Sequence, residues 1–465
     1  MNPVVVWTFR GERQLHFLLT SLNSGQSQFE VHADLSQRLR MAFPTAVAVV
    51  VLDLFYGFTP RPKEYTLLVD VRYPVEGLGG TQVVKLADDD RLRAEFDAWV
   101  RTKEPQFNGD GVLMRQTAAY HPQYQHRLVG VLYQDAATHI GLHRQVFLEE
   151  AFVASVRHGN PTVPSLLNTF GLLFRSLGRE LYGGRQRERP PLTAALELNP
   201  DESGRRRSLT RRVGRWAAGG PERSVLDEWE GAGVGVSVGV EAAVKYRTPF
   251  ADPVAFFRRL SRLLAGGGAR VPDFRLTRGP AHGDLHGRNV LVGLEDDRAD
   301  RPAVYDYEHM GRDNLILYDF VKLETELKLR AYPHLFPLDR DDELPPEPVI
   351  RRVQAIEAAL ATRQGRFAPP AGDPPANGRE RRLFALLAGL RERAERTRTV
   401  GDGTLREWTA EYLLLLSAYS LYVVRYPQTV FSRTVAFTAA GVAAAAAYEL
   451  VQAAQNPTGN PGGVP

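Results

Sequence analysis

Three early stretches are built of apolar residues that alternate with polar ones or run unbroken: Ala46 to Phe55 (AVAVVVLDLF), Tyr65 to Tyr73 (YTLLVDVRY) and Thr81 to Leu86 (TQVVKL). Their β-branched content and the turn-formers between them, GFTPRPK and PVEGLGG, predict three strands joined as a meander. The period then changes from two to nearly four. In ADDDRLRAEFDAWV, Leu92, Phe96 and Trp99 recur at helical spacing behind Asp88 to Asp90, which are suited to cap a helix. Two further strands are predicted at Val112 to Met114 and Leu128 to Tyr133.

Beyond these the pattern is mainly helical, so the fold class expected is α+β. The longest apolar region, Tyr412 to Leu450, is interrupted by Arg425, Pro427 and Arg433. That leaves pieces shorter than the roughly 20 residues a bilayer crossing needs. A helical hairpin buried in a large helical domain is predicted there, and no membrane segment.

Composition changes this picture little. The 465 residues carry 58 basic and 54 acidic side chains, a net charge of +4, which implies neither a nucleic-acid nor a membrane partner. With no cysteine, disulfides, thiolate metal sites and cysteine nucleophiles are excluded. MNPVVVWTFRGER lacks the pattern of a signal peptide, so a cytoplasmic location is expected. From Gly183 to about residue 220 the chain is polar and arginine-rich and reads as an exposed insertion. Pro369 to Arg379 and Asp339 to Pro348 read as loops, and the tail from Asn456 as disordered.

Candidate chemistry is concentrated in AHGDLHGRNVLV (Ala281 to Val292) and AVYDYE (Ala303 to Glu308). A carboxylate followed five residues later by an amide on one tight loop, Asp284 and Asn289, sets a base beside an acceptor hydroxyl while the amide oxygen reaches Mg²⁺. A hairpin from Val290 to Val304 would return Asp306 beside Asn289 as the main metal ligand. Upstream, Lys85 lies on a strand. Glu95 lies on the apolar face of the next helix, three residues after Leu92 and four before Trp99. A carboxylate there wants a cationic partner, and Lys85 is the expected one.

These motifs resemble the protein-kinase-like phosphotransferases, in the branch of aminoglycoside phosphotransferases and choline kinases, which carries HGD where protein kinases carry HRD. The resemblance covers roughly Ala46 to Glu324. It implies a bilobal fold with a small antiparallel-sheet lobe at 46–135 and a helical lobe at 136–455. Residues 1–45 lie outside the resemblance and are expected to form an N-terminal extension packing on the small lobe. The implied activity is transfer of the γ-phosphate of ATP, with Mg²⁺, to a hydroxyl acceptor, most simply a small molecule; the motifs do not distinguish ATP from GTP. The implied roles are Asp284 as base, Asn289 and Asp306 as metal ligands, and Lys85 held by Glu95 on the nucleotide phosphates. Gly57, Phe58 and Thr59 stand for a short phosphate cradle in place of a GxGxxG loop, and Leu128 to Ala136 corresponds in position to the adenine-reading hinge. His282 orients the loop, His286 reaches the transferring phosphate or steadies the loop, and Asp319 in LYDFVKLETEL supports the loop by capping backbone amides.

Other readings stand beside this one. The reduced glycine loop suits a pseudokinase or a nucleotide-binding scaffold in a larger complex, whereas the full set Lys85, Glu95, Asp284, Asn289 and Asp306 argues against it. A protein kinase acting on hydroxyls of proteins, RRRS at Arg205 to Ser208 among them, is a further alternative. The arginine cluster 205–215 offers a protein partner a docking segment, and its lack of interleaved aromatics other than Trp216 argues against nucleic acid. Lys245, a second strand lysine close to the catalytic loop, reads as structural.

Overall fold

The computed structural model describes residues 3–22, 27–55, 64–75, 79–103, 111–124, 127–134, 144–183, 186–188, 197–200, 206–208, 252–254, 256–257, 276–296, 298–336, 343, 345–369, 372–399, 403–424 and 429–455. Gly57, Phe58 and Thr59, the tip of the GLGG turn, Asp135 and Ala136, Lys245, most of 183–220 and the tail from 456 lie outside them.

In chain order the elements begin β1 (Val4–Trp7), α1 (Phe9–Leu22), α2 (Gln28–Ala42), β2 (Ala48–Phe55), β3 (Tyr65–Arg72), β4 (Gly80–Leu86) and α3 (Asp89–Thr102). They continue β5 (Arg115–Tyr120), β6 (Leu128–Gln134), β7 (Arg144–Phe147), α4 (Leu148–His158), α5 (Val163–Glu180), β8 (Gln186–Glu188), β9 (Glu197–Pro200) and β10 (Arg206–Ser208). The remainder are β11 (Leu276–Ala281), β12 (Val290–Glu295), β13 (Arg298–Val304), β14 (Gly311–Leu315) and helices α6 (Ile316–Ala331), α7 (Glu347–Ala361), α8 (Gly378–Glu395), α9 (Leu405–Val423) and α10 (Val430–Gln455). The chain divides into two compact units, 1–151 with 171–181 and 287–312, and 152–170 with 182–286 and 313–465.

The first unit holds a six-stranded sheet of order β1-β2-β3-β4-β6-β5, in which only the β1–β2 pair is parallel. The meander predicted from the apolar pattern is β2, β3 and β4. Alternation along β4 separates two environments: Val84 and Leu86 join Leu15, Leu35, Val49 and Val69 in the apolar core. Lys85, between them, points to the other face, where Glu95 of α3 lies. Residues 4–42 supply β1 at the sheet edge, and α1 and α2, whose Leu15, Leu18, Leu35 and Leu39 fill that core. A second sheet pairs β12 with β7 and β13, all antiparallel.

The second unit is mostly helical. Its α8 and α9 each begin with a capping box, Asn377 with Glu380 and Thr404 with Glu407, so two otherwise orphan amides are satisfied at each start. Glu380 also accepts from Arg352 at 2.7 and 2.8 Å, which leaves Asn377 the purer test of the cap. Asn377→Ala is expected to cost about 1 kcal/mol, read as a lowered denaturant midpoint of the full chain. An unmoved midpoint would contradict the cap's contribution.

Three sequence expectations need correction. Asp88 sits at the cap position of α3 but makes no side-chain cap bond; it is Asp89 that accepts from Leu128 N–H, at 2.6 Å, and so ties helix to sheet. The strand placed at Val112 to Met114 begins instead at Arg115, and Leu113 makes only an isolated bridge to Val304. Arg433 does not break the C-terminal apolar stretch, because α10 runs through it for 26 residues. That helix is long and apolar enough to span a bilayer, though most of it is buried within the protein.

Candidate functional site

Two clusters, one in each unit, gather the residues singled out by the motifs. In the first, Lys85 Nζ lies 2.8 Å from Glu95, 3.0 Å from Asp306, 3.2 Å from Glu64 and 3.4 Å from Glu308. The strand supplies the lysine, the inward face of α3 the glutamate, and the segment after β13 the aspartate. Lys85 and Glu95 side chains are only 3% and 1% exposed.

Pairing Val290 with Val304 across the hairpin brings Tyr305 N–H onto the Asn289 carbonyl at 3.1 Å, so Asn289 and Asp306 flank one bond. Tyr305 and Tyr307 are buried, and Tyr307 stacks on Trp99 at 4.9 Å; the residues alternating with them, Asp306 and Glu308, turn to Lys85. Asp306 has a φ of 63°, in the left-handed region that aspartate enters more readily than most residues other than glycine.

The electrostatics follow from burial and crowding. Burial disfavours the ammonium of Lys85, but Asp306, Glu95, Glu64 and Glu308 together hold it well above the usual lysine range. For Glu95, burial dominates and raises it to about 8 against the pull of Lys85, with Asp306 and Glu308 pushing in the same direction as burial. Gln116 donates to Glu95 Oε1 at 3.2 Å and to Tyr133 Oη at 3.0 Å, fixing the carboxyl from behind.

The second cluster is the loop 282–286 and helix α6. Asp319, in the first turn of α6 and fully buried, accepts from His282 N–H at 2.9 Å, Gly283 N–H at 2.7 Å and Tyr182 Oη at 3.2 Å. It therefore caps loop amides rather than those of its own helix. Burial raises Asp319 to about 7, while those three donors oppose the rise. Gly283 has a φ of 77°, which explains a glycine between His282 and Asp284. His282 Nδ1 accepts from Asp284 N–H at 3.3 Å, an orienting contact.

Asp284 pairs with Lys322 of α6, and His286 Nε2 lies 3.8 Å from its other oxygen. Glu326 lies 3.8 Å from Lys322 and 3.9 Å from His286, and accepts from Tyr419 Oη at 2.7 Å. Lys322 and Glu326 escaped the motif reading. Their signal was helical register: Lys322 follows Asp319 by three and Glu326 follows Lys322 by four, so all three share one face. Glu64 escaped it too, and Glu308, which the sequence offers as a carboxylate for an acceptor cleft, lies instead 3.4 Å from Lys85. Elsewhere in the second unit, Asp313 lies 3.4 Å from Arg278, and Glu324 is buried on Arg391 and Lys328.

Among the described residues no group of three or more His, Asp or Glu side chains is arranged to hold a metal. Asn289 and Asp306 are oxygen donors of the kind Mg²⁺ accepts, and Mg²⁺ commonly takes only one or two protein ligands and completes its shell with phosphate and water. With Glu95 held protonated up to about 8, the carboxylates of Glu64, Asp306 and Glu308 still outnumber the one ammonium of Lys85, a charge balance that suits a divalent cation.

A family model described as "Ternary complex associated domain 9" matches residues 242–421. That range contains the loop 282–289, Asp306 and α6. No curated protein matches the chain. Among solved structures, a choline kinase from Cryptosporidium parvum Iowa II is similar at 10% identity and a TM-score of 0.31, over 88% of this chain and 89% of that one.

Proposed function

We propose that the chain is a nucleotide-dependent phosphotransferase of the protein-kinase-like kind, moving the γ-phosphate of ATP to the hydroxyl of a small-molecule acceptor. The observation that carries this reading is the buried Lys85 paired with Glu95 and Asp306, the last 221 residues away in sequence. A buried ammonium among four carboxylates is costly to assemble for stability alone.

On this reading Asp284 accepts the proton of the acceptor hydroxyl, with His282 and Asp319 holding the loop that carries it. Asn289 and Asp306 would hold Mg²⁺, which when bound would neutralise charge on the phosphates. Lys85 contacts the phosphates, and Glu95 keeps the ammonium in place. Positioning and charge neutralisation supply most of the rate. His286 serves to steady Asp284 or to meet the transferred phosphate.

The test is binding of ATP to the full-length protein with and without Mg²⁺. Wild type is expected to bind in a Mg²⁺-dependent manner, and Lys85→Met to weaken binding by about tenfold or more, since a hydrogen bond to a charged group is worth roughly 1.5–3 kcal/mol. Equal binding by wild type and variant, or none by either, would remove the assignment.

A second reading has one observation in its favour. The description of the matching family model speaks of association with a ternary complex. A nucleotide-binding subunit without turnover would bind Mg-ATP but release no ADP, even when hydroxyl acceptors are screened.

A further inference from the structure

The second unit contains a cavity of about 770 Å³ between the ends of α7, α8 and α9 and the loop that follows α7. Neither Lys322 nor Asp319, the partners of Asp284 and of the loop amides, is among its lining residues, and no residue of the loop 282–286 is. Helix α6 separates the two by its faces: Lys322 and Glu326 turn to Asp284 and His286, whereas Glu324 turns to Arg391 and Tyr412 in the cavity wall. The size is that of a site enclosing a small organic molecule.

Its wall has two chemical features. Its apolar wall is formed by Ala361, Pro369, Pro375, Ala385 and Ala388, backed by two nearly buried aromatic pairs, Phe367 with Phe384 at 6.0 Å and Trp408 with Tyr412 at 5.2 Å. The charges are unequal. Both carboxylates of the lining are already paired with arginine, Glu395 with Arg363 at 2.9 Å and Glu392 with Arg396. Arg391 is taken by Glu324. Among the described residues, Arg381 bonds only a backbone carbonyl, that of Ala376, at 2.6 Å, and Arg366 makes no ion pair. Among the described residues, two guanidinium groups thus stand at an apolar cavity with no carboxylate of its wall to neutralise them.

We propose that this cavity is a binding site for a small molecule with an apolar body and one anionic group, the body in the apolar cavity and the anion on Arg366 and Arg381. Guanidinium groups suit carboxylate, sulfonate or phosphate oxygens through paired N–H donors, and an apolar cavity of this size suits an apolar body. The site is independent of the phosphotransferase reading, since it uses none of its residues.

The test titrates the full-length protein with 8-anilinonaphthalene-1-sulfonate and, in parallel, with the uncharged N-phenyl-1-naphthylamine, which keeps the aromatic body. Wild type is expected to bind the sulfonate saturably. The double charge reversal Arg366→Glu/Arg381→Glu should weaken the sulfonate about tenfold and change the uncharged probe by less than about twofold. Ala385→Trp, which fills the cavity from α8, should abolish binding of both. Should Ala385→Trp fail to fold by circular dichroism, the charge-reversed pair, both exposed, decides alone. Sulfonate affinity unchanged by the charge reversal, or an equal loss for charged and uncharged probes, overturns the proposal.

Discussion

Asp284→Ala is expected to lower Mg²⁺-dependent phosphoryl transfer by about 10²–10⁴-fold, the usual contribution of a positioned general base, while nucleotide binding is retained. The two effects separate because Lys85, Asn289 and Asp306 bear the nucleotide and metal roles in the proposal, and Asp284 bears only the acceptor's proton. Asp284 is held by Lys322 and lies near His286, so its carboxylate has a fixed orientation before any acceptor arrives. Lys322→Met keeps the base and removes its holder. A smaller loss, carried by kcat rather than by the KM of the nucleotide, is expected there. Steady-state kinetics on the two variants check both points, and turnover in Asp284→Ala equal to wild type would sink the assignment of the base.

The largest expected loss of stability comes from Glu324→Ala. Glu324 is fully buried and accepts from Arg391 at 2.7 and 2.8 Å, from Lys328 at 3.1 Å and from Tyr412 Oη at 2.6 Å. Lys328 also reaches Glu357 at 3.0 Å, and Tyr332 Oη donates to the same carboxylate at 2.9 Å. Deleting Glu324 leaves Arg391 and Lys328 to share what remains. Breaking one partner out of a buried ionic group costs about 3–5 kcal/mol. Chemical denaturation of the full chain measures it, and a loss under about 1 kcal/mol would show the network to be dispensable.

The same residue gives stability a pH dependence of definite sign. Burial raises the affinity of Glu324 for its proton, but Arg391, Lys328 and Tyr412 outweigh it and hold the group at about 2, below the ordinary 4.5. A carboxyl with a lowered folded pKa contributes stability that is full above 4.5 and lost as pH falls toward 2, amounting to about 3 kcal/mol. Glu95 and Asp319 act in the opposite sense. Held by burial at about 8 and about 7, they bind protons on folding, so their contribution is present at low pH and lost as pH rises through those values. Acid unfolding should therefore be milder in Glu324→Ala than in wild type, measured as the change in stability between about pH 5 and pH 3.

Much of the first cluster was legible because its residues sit where local periodicity fixes direction. Period two in TQVVKL turns Lys85 away from Val84 and Leu86, and period 3.6 in the next helix puts Glu95 with Leu92 and Trp99. The hairpin from Val290 to Val304 then sets Asp306 near Asn289 by register alone. Lys322 was not legible. It shares a helix face with Asp319, but nothing local says that this face meets Asp284 rather than solvent. Nor did the charge pattern of LETELKLR show that Glu324 and Lys328 are buried among α6, α7, α8 and α9, since i,i+4 charges of opposite sign also describe a solvated helix face.

What the sequence determined by itself is the set of elements whose pattern is strong over short range: the β2–β3–β4 meander, helix α3, the hairpin of β12 and β13, and the apolar helices α9 and α10. Backbone hydrogen bonding and side-chain alternation act over a few residues and are written in those residues. What only the tertiary structure decided is which charges find each other across long separations, as Lys85 finds Glu64 and Glu308, Asp284 finds Lys322, and Glu324 finds Arg391. It likewise decided that two arginines beside an apolar cavity have, among the described residues, no carboxylate of the wall as partner. The reason is physical: a buried charge is tolerated only with a partner, and that partner is chosen by the packing of whole elements, which no short segment encodes.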